Sequence, residues 1–160
     1  KGIDFSMFWQ GVAKRDLWLD GLMFWGISGG EWQSTGLKEH LDYYRPENTT
    51  SVFGPNTNAY FPKMYMSKDM NQKVQTRYLQ NGAYARLKNI QLGYTFPTQI
   101  INKLHMQKLR VYVSAENVLT ITSLPSGFDP ETTYSSYSDG NSGKTYPLQT
   151  TISFGLHATF

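Results

Sequence analysis

The chain has no cysteine among its 160 residues, which excludes a disulfide framework and a thiolate metal site. Charge is sparse. Only 17% of residues are Asp, Glu, Lys or Arg, and the formal net charge is +3. So weak a basic excess, with no dense Lys/Arg stripe and no RNA-binding aromatic signature, gives no case for a nucleic-acid partner. Long apolar runs are missing as well. The longest, "LMFWGI" from Leu22 to Ile27, falls far short of the roughly 20 residues that a membrane-crossing helix needs. The first residues show no leader pattern: the chain opens on Lys1 and is inside an alternating pattern by Ile3, which reads as a cut through a longer protein. The three histidines, His40, His105 and His157, lie far apart and offer no shared metal or catalytic constellation.

What the chain does have is aromatic residues, at 15%, and strand-like alternation. Four segments show a period of two. In "GIDFSMFWQG", Ile3, Phe5, Met7 and Trp9 alternate with Asp4, Ser6, Phe8 and Gln10. In "AYARLKNIQLGYTF", from Ala83 to Phe96, Ile90, Leu92, Tyr94 and Phe96 share a face. Leu87 is out of phase with them, so a bulge is expected near Lys88 and Asn89. In "KLRVYVSAENVLTIT", from Lys108 to Thr122, Leu109, Val111, Val113, Ala115, Leu119 and Ile121 lie on one face and Arg110, Tyr112, Ser114, Glu116 and Thr120 on the other. The closing segment, "YPLQTTISFGLHATF" from Tyr146, sets Ile152, Phe154, Leu156, Ala158 and Phe160 against Thr151, Ser153, Gly155, His157 and Thr159. Pro97 and Pro147 stand at strand ends, where a missing N–H does least harm.

The connections differ sharply in length. About Asp16 to Gly82 separates the first two strands, Pro97 to Gln107 the next two, and Ser123 to Tyr146 the last two. Long connections are uncommon in compact domains and usually functional. In an antiparallel meander the two long ones fall at the same end. That rhythm is the one outer-membrane barrels use, with long external loops and short turns on the other side. The faces agree: one is apolar, while the other carries Asp4, Arg110 and Glu116, which a soluble core rarely holds unpaired. A soluble β-sandwich module, binding carbohydrate through surface aromatics, remains the alternative, because alternation shows which face is apolar and not what covers it.

Sharper motifs carry little. "GKT" at Gly143 to Thr145 lacks the first glycine of a phosphate-binding loop, whose place is taken by Ser138, and Pro147 follows where a helix is needed. "DGNSG" from Asp139 and "FDPE" from Phe128 miss the calcium-loop spacing and read as turns. No catalytic group, metal or cofactor is implied.

The strings "RYLQNGAYARLKNIQLGYTFP", "KLRVYVSAENVLTIT", "GFDPET" and "YPLQTTISFGLHATF", with the upstream "DFSMFWQGVAKRDLWL" and "HLDYYRPENTT", resemble the C-terminal end of SusC/RagA-family TonB-dependent transporters. The resemblance runs over nearly the whole chain, from residue 1 to 160, in the family's order. It implies an all-β fold: an antiparallel meander of about four strands that forms the last section of a 22-stranded transmembrane barrel in the bacterial outer membrane. It also implies a non-enzymatic importer of oligosaccharides or peptides. Its expected partners are a SusD-like surface lipoprotein, the rest of the barrel with its plug, TonB through the absent N-terminal part, the barrel assembly machinery, and membrane lipid.

Two sets of candidate residues follow. Phe160, with Leu156 and Phe154, matches the terminal aromatic strand that the assembly machinery reads in such barrels. Its ring is expected to face lipid while His157 and Thr159 face the lumen. In the long loop, Trp25, Trp32, Tyr43 and Tyr44 are the candidates for contact with substrate or lid, although packing among loops is the favoured role for any single ring. The stretch Gly36 to Tyr44 is expected to form a short helix, since Leu37, His40, Leu41 and Tyr44 share a face and Arg45–Pro46 ends it.

Overall fold

The computed structural model describes residues 2–26, 36–65, 72–133 and 145–160. It divides into two compact units. One comprises Lys1–Arg15, Gly82–Ser123 and Leu148–Phe160; the other comprises Asp16–Asn81 and Leu124–Pro147. Trp32 and the "DGNSG" stretch lie outside the described residues.

The first unit is a sheet. The strands in chain order are β1 (Ile3–Val12), β2 (Asp16–Trp18), β3 (Leu79–Asn81), β4 (Tyr84–Thr95), β5 (Lys108–Thr122) and β6 (Thr151–Thr159). The sheet takes β1, β4, β5 and β6 as sequential antiparallel neighbours. Its register aligns the alternation of all four. Phe5 stands opposite Leu92, Leu92 opposite Val113, and Val113 opposite Phe154. Ile3, Tyr94, Val111 and Leu156 make the next row of the same face. The expected grouping of Val111 and Val113 with Leu156 and Phe154 on one face is therefore present.

The bulge falls where the phase of Leu87 placed it. Phe8 and Trp9 are consecutive, yet they oppose Asn89 and Leu87, so Lys88 is the extra residue on β4. That one residue returns Leu87 to the apolar face, opposite Trp9 and Leu119. Against β5 the compensating irregularity is at Asn117, whose φ of 52° is left-handed and which asparagine tolerates well. Asn117 also decides where β6 begins. The ladder ends at Glu116–Thr151, so Tyr146–Thr150 is not strand, contrary to the sequence expectation. Instead Asn117 Nδ2 donates to the Gln149 carbonyl at 3.1 Å and Thr150 Oγ1 donates to the Asn117 carbonyl at 3.0 Å.

The connection from β4 to β5 is more than a plain turn. Pro97 opens a helical turn over Thr98–Ile101, with Ile101 only 1% exposed. His105 adopts φ 54°, and the N–H groups of His105 and Met106 bond to the carbonyls of Asn102 and Ile101. That pairing is a Schellman ending, with histidine in the place glycine usually holds.

The second unit shows that the long connection is not merely loop. β2 and β3 pair antiparallel, Leu17 opposite Gln80. Leu19, Phe24, Trp25, Phe61, Tyr78, Leu124 and Phe128 form a core of their own. The rings meet mostly edge to face, with Trp25 at 5.1 Å from Phe24 and 5.0 Å from Tyr78. The expected helix over Gly36–Tyr44 shrinks to one 3-10 turn at Lys38–Leu41. The backbone beyond it is engaged elsewhere: Tyr44 N–H bonds to the Phe61 carbonyl, and Arg45 exchanges bonds with Asn56 at 3.0 and 2.9 Å.

Two glycines on the polar face make room for side chains that lie across the sheet. A Cβ on Gly155 would overlap the Tyr112 ring, and one on Gly93 would collide with Arg110 and Asp4. Replacing Gly155 by Val in the full-length protein should therefore lower its thermal unfolding midpoint, at a cost of about 1–3 kcal/mol. Adding Tyr112→Ala should restore part of it; equal loss in the single and double variants would show that the ring and the glycine are not coupled.

Candidate functional site

The sheet offers two unlike surfaces. The apolar one is open: Phe154 is 84% exposed, Ile3 72% and Leu156 67%, and Phe5 and Met7 are also more than half exposed. No helix among the described residues is long and apolar enough to cross a membrane, a statement that leaves crossing by strands untouched. Phe160 follows β6 by one residue and is exposed.

The polar surface is organised around one long reach. Asp4 is on β1 and Arg110 on β5, with β4 between them. Two strand spacings separate their backbones by roughly 10 Å. The Arg110 side chain crosses that gap over Gly93, and its Nε donates to Asp4 Oδ2 at 3.0 Å while its terminal nitrogen donates to Oδ1. The fork geometry makes the pair bidentate. The same guanidinium lies 4.9 Å from the centre of the Tyr112 ring, which covers Gly155. One continuous layer of Asp4, Arg110 and Tyr112 thus spans all four strands. His157 stands opposite Arg110, on this polar face as expected. Glu116, the third charge read on this face, stands opposite Asn89 and Thr151 and takes no part in the layer.

The loop unit is braced by two buried polar residues that the sequence alone did not single out for this role. His40 is 7% exposed. Its Nδ1 accepts from the Leu37 N–H at 2.9 Å, which makes Nε2 the protonated nitrogen that donates to the Phe24 carbonyl at 3.0 Å. Arg45, 8% exposed, donates to the carbonyls of Gly54 and Leu41 at 2.6 and 2.7 Å and lies 4.6 Å over the Tyr43 ring. It closes the loop Pro46–Pro55 from inside. The only hint in the sequence was its place before a proline.

These contacts sort the loop aromatics. Trp25 is 1% exposed and sits at the centre of the unit's core, so its role here is packing and not surface contact. Tyr43 is half-buried under Arg45, and Tyr44 is exposed. "FDPE" is a turn: Asp129 Oδ1 accepts from the Glu131 N–H at 2.8 Å, and the Thr133 N–H bonds to the Asp129 carbonyl. Beside Phe24, His40 and Phe61 the unit has a half-open cavity of about 390 Å³ that no sequence motif announced.

The chain is similar to curated receptors over its whole length. TonB-dependent receptor P3 of Formosa agariphila is 34% identical over 167 residues, covering 100% of this chain and 15% of that protein. TonB-dependent receptor P26 of the same organism is 25% identical, covering 100% of the chain and 16% of its own length. Among solved structures, the RagAB peptide importer in its closed-closed state is 25% identical with a TM-score of 0.64, covering 100% of this chain and 16% of that one. A structure of the RagAB peptide transporter, at 22% identity and TM-score 0.63, shares the fold. No profile of a known protein family matches the chain.

Replacing His40 by Ala strands the Leu37 N–H and the Phe24 carbonyl, at about 1–3 kcal/mol for each group left unpaired. Limited proteolysis of the full-length protein should then cut faster within Asp16–Asn81 and at an unchanged rate within Pro97–Gln107. Faster cutting everywhere would mean that His40 supports more than this unit.

Proposed function

The chain belongs to the SusC/RagA-type TonB-dependent transporters as a C-terminal part of one, and on that premise we propose that it is a section of the wall of an outer-membrane nutrient importer. Its four sheet strands are four neighbouring strands of a transmembrane β-barrel, 22-stranded as in the family. The observation that carries this reading is the pair of unlike faces. Phe5, Leu92, Val113 and Phe154 run unbroken across the four strands, with Phe5, Leu92 and Phe154 exposed, while the opposite face holds the Asp4–Arg110–Tyr112 layer. Lipid suits the first face and a watery lumen the second. A soluble sandwich would need a second layer to bury Phe154, Leu156 and Ile3.

Import itself needs the rest of the protein. The chain spans only 15 to 16% of the length of the relatives named above. The plug, its contact with TonB and most of the barrel come from the remainder. A SusD-like lipoprotein would close over the loop side. The cargo is a peptide or an oligosaccharide, and the RagAB relatives, described as a peptide importer, favour a peptide. On this reading Asp16–Asn81 and Leu124–Pro147 are extracellular, and Tyr44 and Trp32 remain candidates for touching cargo or lid.

Protease sites engineered into these two stretches should be cut on intact cells, and a site in Pro97–Gln107 should be spared. The reverse pattern would invert the topology.

Phe160 provides a second test. One ring at the membrane edge contributes only about 1.5–3 kcal/mol of burial, which is small for a closed barrel. If assembly reads the terminal aromatic, Phe160→Asp should sharply reduce surface abundance while Phe160→Tyr stays close to the parent. Normal abundance of the Asp variant would make Phe160 an ordinary strand end.

A further inference from the structure

The cavity of about 390 Å³ in the loop unit has the size of a small-ligand site and an unequal lining. Phe24, Tyr60 and Phe61 form its wall, and Phe24 and Phe61 belong to the unit's core, so the wall is held in place. Tyr60 meets Phe61 edge to face at 5.0 Å, and Phe24 meets Phe61 at 5.6 Å. An apolar chain of a few methylenes fits against such rings.

The polar groups are one-sided. Among the described residues the lining includes Glu39 and Asp42 and no lysine or arginine. Its donors are largely spent. His40 uses both ring nitrogens on Leu37 and Phe24. Gln80 commits its amide N–H groups to the Tyr60 hydroxyl at 3.0 Å and the Tyr78 carbonyl at 2.8 Å, which leaves its Oε1 as an acceptor. Asp42 is partly engaged, accepting from Asn56 Nδ2 and the Tyr60 N–H. Glu39 is exposed, at the rim, with no partner among the described residues. What remains is an aromatic wall with surplus acceptors and net negative charge. A group with an apolar stem and a cationic, donor-only head complements it.

We propose that this cavity is a subsite for a lysine- or arginine-type side chain of an imported peptide. The proposal rests on the importer reading above and narrows its cargo. The rings take the stem, and Glu39 with Gln80 Oε1 takes the head.

The test uses the full-length receptor with its lid lipoprotein, purified in detergent, and an equimolar pool of random octapeptides read by mass spectrometry after retention. The same pool acetylated at lysine keeps the stem and removes the charge. Retained peptides should be enriched in Lys and Arg. Acetylation should abolish the lysine enrichment. Glu39→Gln should cut the enrichment by about two- to fivefold, the range of an exposed charge contact. Ser126→Trp, which fills the cavity, should remove it. No enrichment in the parent, or enrichment indifferent to acetylation and to both substitutions, overturns the subsite; the acetylation arm decides even if a variant folds badly. Retention of oligosaccharides in place of peptides also overturns it. Uptake by cells with and without the receptor gene reports on the importer reading separately, so the two can fail independently.

Discussion

Backbone pairing at the sheet's edges is the constraint on which the rest depends. Among the described residues β1 and β6 are each paired on one side only, and the face they share is apolar and open. In water such edges invite aggregation, and in hydrocarbon every unpaired N–H and C=O costs several kcal/mol. Both demands are met together when further strands continue the ladder from β1 and β6 until the sheet closes. The proposed barrel is that solution. It also accounts for a sheet whose apolar face has so little cover while its backbone register is regular apart from one bulge region.

Within the sheet, the polar face is tied by side chains as much as by backbone. Arg110 reaches Asp4 across β4 only because Gly93 lacks a side chain, and Tyr112 lies flat only because Gly155 does. Each glycine weakens its own strand and gives up a contact of its own. In return, a bidentate ion pair and a cation–π contact bind β1, β5 and the Gly155 position of β6 into one layer. A slip of one residue in any of these strands would separate the glycines from the side chains above them, so the layer also guards the register.

The loop unit shows how a long connection becomes a rigid surface. Its core draws Leu19, Phe24 and Trp25 from one end of the Asp16–Asn81 stretch, Tyr78 from the other, and Leu124 and Phe128 from Leu124–Pro147. His40 and Arg45 then tie local loops to backbone carbonyls from within. A flexible cap would lose conformational entropy each time it ordered around cargo; a unit already packed loses less. The proposed subsite beside Phe24 and Phe61 would draw on that packing.

The division between sequence and structure follows the range of the interactions. Alternation is local, so β5 was legible from Lys108 to Thr122 to the residue, and the phase of Leu87 put a bulge near Lys88 and Asn89, which the register narrows to Lys88. The assignment of faces followed from the same period of two. The limits of β6 did not, because they depend on Asn117, in a strand about 30 residues away, turning left-handed and ending the ladder. The sequence favoured packing for a loop ring such as Trp25 without saying against what, and contacts with Phe24, Phe61 and Tyr78 supply that. Gly93 and Gly155 were plain alternation partners in the sequence; which side chain covers each is a matter of register. By itself the sequence determined strands, faces and family resemblance, since those rest on neighbours a few residues apart. Tertiary structure decided which polar and aromatic groups meet, because meetings such as Asp4 with Arg110 and His40 with Phe24 are set by how distant segments pack, and spacing along the chain does not encode that.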